Sequence, residues 1–104
     1  MTFEWDPRKS AENFARRGFD FAFATLVFDS ITVEYEDTRR DYGEGRRIAL
    51  GLADGIPLTV VFTDRLRSDG TIARRIISTR VSSRAERRRH AQEIAAHQAE
   101  SRKG

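Results

Sequence analysis

The chain of 104 residues contains no cysteine, which excludes a disulfide framework, a thiolate nucleophile and a cysteine-bound metal. Its two histidines, His90 and His97, stand seven residues apart, roughly 10 Å along a helix axis. That is too far to share a metal or to flank one phosphate, so both are expected to be solvated helix residues. No stretch of about 18 apolar residues is present, and no membrane-spanning helix is expected. The opening MTFEWDPRKS lacks the apolar run of a secretory signal, which makes a cytoplasmic location the expectation. A P-loop, a dinucleotide fingerprint and a nucleophile elbow are also missing, so neither a cofactor nor a metal is expected.

What the chain has in quantity is charge. Charged residues make up 34% of it and hydrophobic residues 38%, the balance of one globular domain with a highly charged surface. The charge is polarised: residues 1–64 hold eight Lys/Arg against twelve Asp/Glu, a net −4, and residues 65–104 hold eleven against four, a net +7. A concentrated basic surface attracts polyanions, which makes phosphate the natural partner class for the second part. Arginine supplies 17 of the 19 cations, and its planar fork bonds two phosphate oxygens at once where lysine offers a point charge. The density is greatest in ARRIISTRVSSRAERRR, from Ala73 to Arg89.

Hydrophobic periodicity and punctuation predict an α+β fold in the order β-α-α-β-β-β-β-α, a mainly antiparallel sheet with helices on one face. TFEW opens as a strand, Asp6-Pro7 caps a helix running to about Arg17, and Gly18 stops it. Ala11, Phe14 and Ala15 are its expected apolar side, with Lys9, Asn13, Arg16 and Arg17 as a polar stripe. Asp20 caps a second helix, FAFATLVF. ITVEYE and RRIALGLA follow as strands, the latter with Ile48, Leu50 and Leu52 inward. Asp54-Gly55 turns the chain into IPLTVVFT, RLRSDG is a loop, and TIARRIISTR is the last strand. Ser83 and Glu86 form a capping box for the final helix, whose sparse apolar content predicts a loosely docked end and a frayed tail over residues 91–104. Trp5 is expected in the core and Asp6 as a cap.

The segments FEWDPRKSAEN, ARRGFDF with LVFDS, DYGEGRRIALG, VVFTDR and RIISTRVSSRAERRR stand in this order, and in them the chain resembles the BrnT family of toxins. The resemblance implies a RelE-like fold and an endoribonuclease toxin of a type II toxin–antitoxin pair. It also implies an RNA substrate and a BrnA-type antitoxin partner, through which alone operator DNA would be contacted. The family pattern falls on Trp5, Asp6, Lys9, Asn13, Glu44, Arg46, Arg65 and Arg80. By the same resemblance, family members usually have a basic residue, a histidine and a glycine at the end of the first helix; here the three are Arg16, Arg17 and Gly18, so Arg17 replaces the histidine.

Cleavage of RNA by its own 2′-hydroxyl needs a base, an offset for charge on the phosphorane oxygens, and a proton for the leaving 5′ oxygen. Arg65, Arg80 and Arg46 are the expected offset and Glu44 the expected base, without a metal. Lys9, Asn13, Arg17, Arg84 and Arg88 are the expected RNA contacts. Two other readings stand beside it: a noncatalytic module that holds nucleic acid or an acidic partner with the same arginines, and a purely structural partner whose stability depends on an antitoxin.

Overall fold

The computed structural model describes residues 1–103, with side chains described through residue 100. Strand β1 (Thr2–Trp5) leads into helix α1 (Pro7–Arg17), and a short helix α2 (Phe21–Ala24) continues as a 3-10 turn over Thr25–Asp29. Strands β2 (Val33–Glu36), β3 (Arg47–Ala53), β4 (Ile56–Leu66) and β5 (Ile72–Val81) follow, and helix α3 (Arg84–Lys103) ends the chain. The strands form one five-stranded sheet in the order β1-β5-β4-β3-β2. It is mixed: β1 joins β5 in parallel, and the other three pairings are antiparallel. No helix among the described residues is long and apolar enough to cross a membrane.

Local chemistry accounts for the boundaries. The Asp6 carboxylate accepts a hydrogen bond from the Arg8 backbone N–H at 2.9 Å, and the Gly18 N–H donates to the Phe14 carbonyl at 2.9 Å. Asp54 and Gly55 have φ of 49° and 79°, the two positive values that a two-residue turn matched to strand twist requires. At Ser83 the expected box closes: its N–H donates to Glu86 Oε1 at 2.8 Å, and its hydroxyl accepts from the Glu86 N–H at 3.2 Å.

Several expectations change. The second helix of eight residues is one α-turn followed by a 3-10 segment. The polar RLRSDG segment is strand as far as Leu66, because β5 offers it partners: Asp64 opposes Arg74, and their side chains join in two bonds of 2.8 Å. On α1, Ala11, Phe14 and Ala15 are exposed, and the buried residue is Ser10. Polar side chains tie this helix down: the Phe21 N–H donates to Ser10 Oγ at 3.0 Å, and Asn13 Nδ2 donates to the Phe19 carbonyl at 2.9 Å. The helices also do not share one face. Alternation along β3 puts Ala49, Gly51 and Ala53 toward α2 and the 3-10 turn, and Ile48, Leu50 and Leu52 toward the face on which α3 lies.

Both faces of the sheet are therefore covered in part. The larger core packs Phe21, Ala24 and Val27 on Ala49, Leu58, Val60, Phe62 and Ile76, bordered by Trp5 and by Phe28, which meets Phe62 edge-on at 5.3 Å. The smaller one joins Val33, Ile48, Leu50 and Val61 with Tyr35 and Ile77. Helix α3 is attached along one line, Glu86, His90 and Ile94, and residues 95–100 are exposed. His90 is not solvated as expected: half-buried, its Nε2 lies 3.2 Å from the Ile31 carbonyl. Part of the expected frayed tail, residue 104 and the side chains of residues 101–103, lies outside the described residues.

Gly51 sets how closely β3 and the 3-10 turn approach. A Cβ there would stand 2.9 Å from Val27 Cβ and 3.3 Å from the Val27 carbonyl oxygen. Gly51→Ala should therefore lower stability by about 1–3 kcal/mol, the usual cost of overpacking, read as a reduced urea midpoint with an unchanged slope.

Candidate functional site

The face that carries the smaller core becomes polar beyond Val61. Its border is built by the end of α1, the 37–46 segment before β3, and the second half of β5. The 37–46 segment has no regular structure but is held at both ends. The Asp37 N–H donates to the Arg46 carbonyl at 2.9 Å, and the Thr63 hydroxyl donates to the Gly45 carbonyl at 2.8 Å. The fully covered Asp37 carboxylate receives two bonds of 2.7 Å from the Arg39 fork.

This anchoring assembles three of the expected catalytic residues. Glu44 Oε1 lies 3.0 Å from Arg46 Nε, and Glu44 Oε2 lies 3.7 Å from Arg65 Nη2, although Arg65 comes from the end of β4. The Arg46 guanidinium also stacks on the Tyr42 ring, 4.0 Å from its centroid. The fourth, Arg80, takes another partner. Its Nη1 and Nη2 donate to the two carboxylate oxygens of Glu86 at 2.6 and 2.9 Å. Glu86 thus caps α3 and holds the end of β5 at once.

Two adjoining concavities take in Arg46 and Arg80, whereas Glu44 and Arg65 line neither. One, of about 370 Å³, is lined by Lys9, Arg16, Arg17 and Arg46 together with the carboxylate of Glu12, and by Asn13, Ser78 and Thr79. The other, of about 90 Å³, is lined by Arg17, Arg39 and Arg80 around Ile48, Thr59, Val61 and Ser78. Arg17, Ser78 and Thr79 border both. Lys9 and Arg17 are exposed here, whereas Asn13 already spends an amide donor on Phe19. Arg84 and Arg88 are exposed on α3 and line neither concavity.

The arginine-rich stretch from Ala73 to Arg89 therefore divides by role. Arg74 covers Phe28 and Phe62 at 4.7 and 4.2 Å and pairs with Asp64, a packing role on the opposite face. Arg89 covers Tyr35 at 4.3 Å and meets Glu93 at 3.4 Å, which fastens α3. Of the arginines in the stretch, Arg80 lines the smaller cavity, next to Ser78 and Thr79. Sequence reasoning singled out Glu44 in this segment but not Arg39, Tyr42 or the Asp37 anchor, and nothing in DTRR distinguishes Arg39 from Arg40.

The two anchoring carboxylates are displaced from ordinary values. Bonding from the Arg39 side chain holds Asp37 down from 3.8 to about 2. Bonding from the Arg80 side chain holds Glu86 down from 4.5 to about 2, against an opposing contribution from burial. The same pairing raises Arg80 above the usual guanidinium range.

The sequence model of the family described as "Ribonuclease toxin, BrnT, of type II toxin-antitoxin system" matches residues 5–86. No curated protein matches the chain. The matched span holds every residue of the two concavities and ends on Glu86, the partner of Arg80.

Because both carboxylates titrate lower in the folded chain than in the unfolded one, they contribute stability above about pH 4.5 that is lost as the pH falls toward 2. Each contributes on the order of 1 kcal/mol once solvent screening is allowed for. Urea unfolding from pH 5 to pH 2 should show this decline. The double substitution Asp37→Asn, Glu86→Gln should be less stable at pH 5 and lose less on acidification.

Proposed function

We propose that this chain, which belongs to the BrnT family of ribonuclease toxins of type II toxin–antitoxin systems, cleaves RNA at the surface bordered by Glu44, Arg46 and Arg65. The observation that carries this reading is the single carboxylate shared by two guanidiniums from different parts of the chain, at 3.0 and 3.7 Å. Glu44 takes the proton of the 2′-hydroxyl as its oxygen attacks the adjacent phosphorus. Arg46 and Arg65, already in place, offset the charge that grows on the phosphorane oxygens, an arrangement that needs no reorganisation during the step. The bond to the 5′ oxygen then breaks, leaving a 2′,3′-cyclic phosphate and a 5′-hydroxyl. Lys9, beside Arg46 in the larger concavity, is the ammonium available to protonate that oxygen, since a guanidinium is a poor acid. No step calls on a metal ion. Arg80 is assigned to holding the RNA backbone, because its fork is engaged by Glu86 and not by Glu44. Arg84 and Arg88 extend the positive surface outside the cleft.

The partners follow the same reading: a BrnA-type antitoxin in the cytoplasm, through which alone operator DNA is reached, and no membrane. Apolar surface beside the β3–β4 turn supports a protein partner. One groove, of about 480 Å³, runs between Leu52, Pro57, His90 and Ile94, and another, of about 460 Å³, runs along Phe14, Phe23, Ile56 and Val81. A noncatalytic RNA-binding module is the second reading, favoured by one feature of the resemblance: Arg17, a poor proton donor, stands where family members usually have a histidine.

Purified chain incubated with single-stranded RNA and EDTA should yield fragments ending in 2′,3′-cyclic phosphate. Glu44→Gln should cut at least about 10²-fold more slowly while binding RNA undiminished, and Arg65→Ala should lose about 10²-fold to 10³-fold in rate. Binding without any fragment from the unaltered chain would establish the noncatalytic module instead. In complex with its antitoxin, hydrogen exchange should slow in residues 52–57 and 80–97; protection confined to other residues would place the partner elsewhere.

A further inference from the structure

The smaller cavity, of about 90 Å³, brings cations from separate elements together. Three guanidiniums border it, each from a different element: Arg17 from the last turn of α1, Arg39 from the 37–46 segment, and Arg80 from β5. Convergence of three cations is unfavourable unless something offsets it. Asp37 and Glu86 do so in part by gripping Arg39 and Arg80. Each carboxylate engages two of the five N–H donors of its guanidinium, so both arginines keep donors to spare. Arg17 has no ion pair among the described residues.

Three guanidiniums against two carboxylates leave one uncompensated positive charge, the complement of a single phosphodiester. The cavity's volume of about 90 Å³ is several times what one water needs. Ile48 and Val61 form apolar walls, where a charge-assisted hydrogen bond is stronger than in open water. Ser78 adds an exposed residue with a hydroxyl, while the buried Thr59 hydroxyl is committed to Ser82 at 2.9 Å. Through Arg17 and Ser78 the cavity opens onto the larger concavity that holds Lys9 and Arg46.

We infer that this cavity is a phosphodiester subsite, in which Arg17, Arg39 and Arg80 hold a backbone phosphate of the RNA strand next to the one that reacts beside Glu44. The inference rests on the RNA reading above and adds to it a position for the strand. It also gives Arg17 a role of its own, as the one guanidinium of the cavity whose fork is unoccupied. Asp37 and Glu86 are positioning residues, which aim Arg39 and Arg80 without touching the strand.

The test measures binding of the full chain to a single-stranded RNA made uncleavable by 2′-O-methyl groups, over a range of salt concentrations. Arg17→Ala should raise Kd about tenfold and reduce the slope of log Kd against log salt by about 0.7, the loss of one phosphate contact to a single strand. Arg17→Lys should keep the slope but recover only part of the affinity. Arg8→Ala, which removes the same charge from the other end of α1, should leave the slope unchanged. An unaltered slope in Arg17→Ala, or an equal loss in Arg8→Ala, overturns the subsite. So does tight binding of inorganic phosphate, followed by phosphorus NMR, that the RNA does not displace, since it would assign the cavity to a free ion. The readout is separate from cleavage: a chain that binds with the Arg17-dependent slope yet never cuts refutes the nuclease reading and retains the subsite.

Discussion

Bringing guanidiniums together on a sheet face is opposed by their mutual repulsion and by the cost of taking charge out of water. The carboxylates placed behind them make the arrangement possible. Asp37 grips Arg39, Glu44 bridges Arg46 and Arg65, and Glu86 grips Arg80. Each acid belongs to backbone that is already anchored. Asp37 closes the neck of its segment, Glu86 is the capping residue of α3, and Glu44 precedes Gly45, whose carbonyl is held by Thr63. The cations are thereby fixed in direction as well as compensated in charge. Fixed donors are what a phosphate surface needs, because they do not have to be gathered at the moment of binding.

The sheet supplies the room for that surface. Small residues at 49, 51 and 53 let the 3-10 turn sit directly on β3, so the larger core closes on one side with little bulk from that strand. Ile48 and Leu50 then fill the opposite side together with Val33 and Val61. Helix α3 covers only the Leu52 end of that second face, along Glu86, His90 and Ile94. The rest stays open beside the end of α1, and there the cations gather. The span matched by the family, residues 5–86, includes every residue that lines this cleft.

The Arg80–Glu86 pair ties the two halves of this design together. It joins the last strand to the first turn of the last helix, so the docking of α3 and the aim of Arg80 depend on one contact. A helix with so little apolar surface gains orientation from this pair, from His90 against the Ile31 carbonyl, and from Arg89 over Tyr35. Each of these contacts is polar or amphipathic, which explains why the helix attaches despite carrying Ile94 as its single bulky aliphatic residue.

Much of the architecture was legible from local chemistry. Caps at Asp6 and Ser83, the stop at Gly18, the Asp54-Gly55 turn and the alternation in β3 all depend on residues within four positions of one another, so sequence order is enough to read them. The family was legible for a related reason, since ordered short motifs are a property of the chain itself. What the sequence could not decide were the relations across the sheet. The choice of the Ala-Gly-Ala side of β3 for the larger core follows from what packs on it, and Ile48 and Leu50 looked the better candidates in isolation. The burial of Ser10 in place of Phe14 follows from backbone groups at Phe19 and Phe21 that need partners. Likewise, Arg65 meets Glu44 while Arg80 turns to Glu86 because an ion pair goes to the nearest anchored acid, and nearness in space is set by strand pairing. The sequence by itself determined the elements, the charge and the kinship of this protein; the tertiary structure alone decided which arginines hold the fold together and which face the cleft.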